Sequence, residues 1–117
     1  MSIKAYQQAA NRAEAPRDVE WRAFSFATAA LVRVVEENGL NAGARVEAIN
    51  KNLQLWSLMA DDCAQPENQL PAPLRAQLIS LALWVDRHSR EALRQISAVQ
   101  DMIDVNRSIM EGLSGKA

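Results

Sequence analysis

Apolar residues along this chain recur every three or four positions, and no segment alternates in the manner of a half-buried strand, so the pattern predicts helix throughout. A short first helix is expected from about Ile3 to Ala13, with Ile3, Tyr6, Ala10 and Ala13 on one side. A second starts near Pro16, whose missing N–H costs nothing in a first helical turn, and Asp18 and Glu20 place negative charge at the positive end of its dipole. Its stripe is Val19, Ala23, Phe24, Ala27, Ala30, Leu31 and Val34. Gly39 offers the left-handed cap, with Leu40 folding back on Val35.

The third helix, from about Ala42 to Asp62, has the most regular pattern. Ala42, Val46, Ile49, Leu53, Trp56, Ala60 and Cys63 alternate spacings of four and three, a heptad seam that predicts shallow helix crossings. The connection AQPENQLPAP follows, with three prolines that a helix interior does not accommodate. A fourth helix runs from near Pro73 to about Gln95, with Leu74, Leu78, Leu81, Val85, His88, Ala92 and Ile96 inward. Ser97 and Gln100 have the spacing of a capping box for a fifth helix, in which Val99, Met102, Ile103, Asn106, Ile109, Met110 and Leu113 face one way. Gly112 and Gly115 mark its fraying end. The expected fold is all-α, a compact bundle of about five helices in a single domain spanning 1–117.

Several apolar residues do not fit these stripes. At 100° per residue, Ile79 and Leu83 fall among Arg75, Ser80, Asp86, Arg87 and Arg90 on the polar side of the fourth helix. Leu55 and Leu58 leave the seam of the third, and Trp21 and Val32 leave the stripe of the second. Either a neighbouring helix of the bundle covers them, or they belong to a partner, an amphipathic helix or a second copy of the chain.

Composition narrows the chemistry. Hydrophobic residues at 49% and charged residues at 23% are globular values, not those of a disordered chain. A net charge of -1 and a sequence pI near 5.8 do not suit a general nucleic-acid binder. Arg87, Arg90 and Arg94 cluster on one flank, where Asp86 with Arg90 and Arg87 with Glu91 are spaced as i,i+4 pairs on a solvated face. Cys63, the single cysteine, ends the seam and reads as a small core residue in a reducing compartment. No stretch resembles a signal peptide or a membrane span, so a cytoplasmic location is expected.

His88, the single histidine, lies on the inward stripe and is expected to hydrogen-bond a neighbour at the edge of the core. Zinc would need several Cys and His at recognisable spacing. Neither Asp61-Asp62 nor Asp101 with Asp104 is joined to a base, nucleophile or second ligand set. Enzymatic activity, a metal and a cofactor are therefore not expected.

Whole-chain resemblance supplies a more specific expectation. Ala5-Tyr6-Gln7, Pro16-Arg17-Asp18 with Glu20, Leu55-Trp56-Ser57, Leu70-Pro71, Leu74-Arg75-Ala76-Gln77, Ile79 through Val85, and Ile103 through Met110 with Gly112-Leu113 resemble, in order and separation, the flagellar biosynthesis regulator FlaF of alphaproteobacteria. Ala15 departs from the pattern, standing where a serine is expected before Pro16. The resemblance implies a small helical protein needed for flagellin production and export. Its implied partners are flagellin, bound as by a secretion chaperone, and FlbT, the regulator that restrains flagellin synthesis through its message. The candidate contact residues are Ile79, Leu83 and Arg87, followed by Trp21 and Leu55. The competing expectations are regulation through FlbT or flagellin mRNA, with the arginine cluster gripping RNA, and a purely structural homodimer.

Overall fold

The computed structural model describes residues 15–37 and 41–113, with side chains over 21–37 and 41–112. Four helices make up this part: α1 (Ala15–Glu36), α2 (Ala42–Cys63), α3 (Ala72–Ala92) and α4 (Ile96–Leu113). The class is all-α, with four helices here against about five expected. The expected helix over 3–13, the Gly39 cap with its Leu40 contact, and Gly115 lie outside the described residues.

Each helix packs on its two neighbours in a closed ring: α1 on α2 and α4, α3 on α2 and α4. Short connections between successive helices make sequence neighbours antiparallel, the up-and-down arrangement of a four-helix bundle. Phe24 of α1 meets Trp56 of α2 edge to face, with ring centroids 5.5 Å apart. Leu31, Val34, Ile49, Val85, Val99, Met102 and Ile103 complete a core drawn from all four helices.

Local chemistry sets the helix ends. Asn41, extended at φ -73 and ψ 157, caps α2 by accepting from the Ala44 N–H at 2.8 Å. After α2, Asn68 is buried in the loop, its amide donating to the Asp62 carbonyl at 3.0 Å while its oxygen accepts from the Leu70 N–H at 3.0 Å. α3 begins with Pro71 at its cap and Pro73 in its first turn. The capping box expected at Ser97 does not form: α4 already starts at Ile96, and the Gln100 amide donates to Asp104 at 3.1 Å. Ile96 therefore opens α4 rather than closing α3.

The buried faces of α2 and α3 are rotated from the stripes read in the sequence. In α2 the centre of the seam holds, with Ile49, Trp56 and Cys63 buried, but the deeper flank is Ala48, Asn52 and Met59, while Leu53 and Ala60 are half-buried and Val46 is exposed. In α3 the buried residues are Leu78, Ala82, Val85, Ser89 and Ala92; Leu81 and His88 are half-buried and Leu74 is exposed. A hydropathy pattern turns Asn52 and Ser89 outward. In the fold both are buried and their polar groups have partners.

Those partners form a polar hub at the centre of the bundle. The Asn106 amide donates to Asn52 Oδ1 at 2.7 Å and to Thr28 Oγ1 at 3.1 Å, and its oxygen accepts the Trp56 indole N–H at 2.9 Å. In turn the Asn52 amide donates to the Met102 sulfur at 3.9 Å, and the Thr28 hydroxyl donates to the Met110 sulfur at 3.7 Å. On the α3 side, Ser89 donates to the Val85 carbonyl at 2.7 Å, with Met102 Sδ 3.6 Å from its hydroxyl. The hub ties α1, α2 and α4 at one height, so a slip of any of these helices by a turn would strand buried polar groups.

Candidate partner-binding surface

Leu83 projects from α3 and is 56% exposed, an apolar side chain that the other described helices leave more than half uncovered. Arg87, one turn on, is exposed as well. Ile79, one turn before, is half-buried and packs against the core, as does Leu55 on α2. Both have their cover inside the bundle. Trp21 is 38% exposed on α1. Since α1 and α3 occupy opposite corners of the ring, Trp21 and Leu83 do not share one patch. The five candidate residues are thus divided among three helices, with Leu83 and Arg87 the exposed pair on α3.

Among the described residues the most exposed large apolar side chains are Phe26 of α1 at 75% and Leu58 of α2 at 67%. Leu58 is one of the residues that leave the sequence seam; Phe26 is not among them. The signal for Phe26 is present in the sequence, because at 100° per residue it lies about 130° from the centre of the stripe formed by Phe24, Leu31 and Val34.

Around Leu83 the charges are arranged as on a solvated flank. Arg90 and Asp86 make the expected i,i+4 contact at 3.3 Å, whereas Arg87 and Glu91 form no ion pair. His88 stands at the α3/α4 edge with Nε2 3.0 Å from Asp101 Oδ2, and its ring stacks on Trp84 with centroids 4.2 Å apart. This is the partnered histidine expected from its position. Cys63 is buried at 1% exposure.

A second feature runs along the outside of the α1/α4 seam, a shallow open groove of about 430 Å³. Ser25, Ala29 and Val32 form one wall and Met110 the other, with Arg33, Glu36 and Arg107 at the rim. Thr28 of the polar hub reaches its floor.

Among the described residues there is no group of three or more His, Cys, Asp and Glu placed to hold a metal ion, and no helix is long and apolar enough to cross a membrane. What the described surface offers chemically is contact: uncovered aliphatic and aromatic groups beside unpaired guanidinium groups. Compared with known proteins, residues 2–113 match a family model described as flagellar protein FlaF. No curated protein and no solved structure matches the chain.

Proposed function

The chain belongs to the FlaF family of flagellar proteins, and from that premise we propose that it is a non-enzymatic chaperone and regulator that binds unpolymerised flagellin in the cytoplasm. Membership in the family places it in flagellar biogenesis. The finer reading is that it covers amphipathic terminal helices of flagellin and couples their presence to synthesis and export, with FlbT as a second partner.

The observation that carries this reading is the uncovered Leu83. A leucine more than half exposed beside Arg87 is surplus to the fold, and an amphipathic helix with apolar anchors at helical spacing is the partner such a surface suits. Phe26 and Leu58 add apolar area that the bundle leaves to water.

Calorimetric titration of the purified chain with monomeric flagellin at moderate salt tests it. Saturable binding near one to one is expected, and Leu83→Asp should weaken it by more than about tenfold while leaving the circular dichroism spectrum unchanged. Absence of heat and of co-elution on a sizing column would overturn direct binding and transfer the role to regulation through FlbT or the flagellin message.

A further inference from the structure

Of the methionines among the described residues, Met59 and Met102 are buried, whereas Met110 is half-buried and lines the open α1/α4 groove. A thioether is nucleophilic without first losing a proton, so its reaction with a small oxidant is set by access to the sulfur. Met110 has that access through the groove. Met102 does not, because its sulfur lies at the centre of the bundle, 3.9 Å from the Asn52 amide and 3.6 Å from the Ser89 hydroxyl.

Met110 also stands at the outer end of the buried polar hub. Its sulfur accepts the Thr28 hydroxyl at 3.7 Å, Thr28 accepts the Asn106 amide at 3.1 Å, and Asn106 accepts the Trp56 indole N–H at 2.9 Å. Chemistry at the sulfur therefore reaches the residues that tie α1, α2 and α4 together. In oxygen transfer from a peroxide, a sulfur lone pair attacks one peroxide oxygen, the O–O bond breaks, and the departing hydroxide takes up the remaining proton, so that methionine sulfoxide and water are the products. The 3.7 Å between the sulfur and Thr28 Oγ1 is too short to hold in line both the new S=O bond and an O–H···O hydrogen bond of ~2.7 Å. The added oxygen must turn into the groove or push α4 away from α1. Either way Thr28 loses the partner geometry it has now, and an apolar side chain of the α1/α4 seam becomes polar.

We propose that Met110 is a reversible oxidation site: a peroxide converts its thioether to the sulfoxide ahead of Met59 and Met102, and the sulfoxide loosens the α1/α4 seam where it joins the hub. Thiol-dependent reduction of the sulfoxide reverses the step and restores the contact with Thr28. The inference is independent of flagellin binding, since it concerns only groups within the bundle.

The test is exposure of the folded full chain to dilute hydrogen peroxide, with peptide mass mapping that scores the gain of one oxygen at each methionine separately. Met110 should be oxidised at least about tenfold faster than Met59 and Met102, because buried sulfurs react only when the fold opens. The same treatment in concentrated urea should remove the difference. Oxidised chain should unfold at a lower urea concentration than untreated chain, and a methionine sulfoxide reductase with a thiol should return the midpoint to its starting value. Met110→Leu should keep its own midpoint through the peroxide treatment. If Met110 reacts as slowly as the two buried methionines in the folded chain, the site is wrongly assigned, a result that needs no variant to fold. If Met110 reacts first and the midpoint does not move, its coupling to the hub is refuted.

Discussion

At the centre of the bundle two amides, Asn52 and Asn106, are fully buried, while on its outer faces Phe26 and Leu58 stand largely in water. The usual order of polar outside and apolar inside is inverted at both places, for different reasons. The buried amides are satisfied: Asn106 makes three hydrogen bonds to three side chains, and each fixes one helix against another. The exposed aromatic and aliphatic groups have no such compensation among the described residues. Polar atoms placed inside a bundle contribute to its uniqueness, because only one register satisfies them all. Apolar atoms left outside cost little in stability and are available to a partner.

Substitutions that treat the two regions alike should therefore separate them sharply. The largest effect is expected for Asn106→Ala, which leaves the Trp56 N–H and the Asn52 and Thr28 oxygens buried without their partner and should lower the unfolding free energy by about 3–5 kcal/mol. Urea unfolding followed by circular dichroism measures it, and a loss below 1 kcal/mol, on the order of an ordinary surface change, would show that the hub does not hold the register. Trp56→Phe keeps a ring against Phe24 and removes only the indole N–H with some volume, so about 1–3 kcal/mol is expected.

Smaller again is Asn41→Ala, which removes the cap of α2 and should cost about 1 kcal/mol, read as a lowered midpoint with unchanged denaturant slope. Leu83→Asp closes the series with a stability change within about 0.5 kcal/mol, because the side chain is already exposed. Should Leu83→Asp unfold the chain instead, Leu83 is core and the contrast between centre and surface fails at that position.

Helical class, the limits of α2 within a residue or so, the role of Cys63 and the partnered state of His88 were all legible in the sequence. Each depends on periodicity or on residue type within one helix: Ile49, Trp56 and Cys63 recur every seventh residue, and a histidine among inward positions needs a hydrogen-bond partner. Family membership was legible as well, through residues scattered over the whole chain. Two of them, Trp56 and Asn106, turn out to be bonded to each other at the hub.

Only the tertiary structure decided which way α2 and α3 turn their deepest flanks and which of the off-stripe residues are covered. Ile79 and Leu83 are four residues apart on one helix and looked equivalent, yet one packs against the core and the other does not. The physical reason is the same in both cases. A helical repeat fixes the angle at which a side chain leaves its helix, whereas burial depends on what another helix brings to that angle; Asn52 and Ser89 were drawn inward by Asn106 and Met102, partners 54 and 13 residues away in sequence.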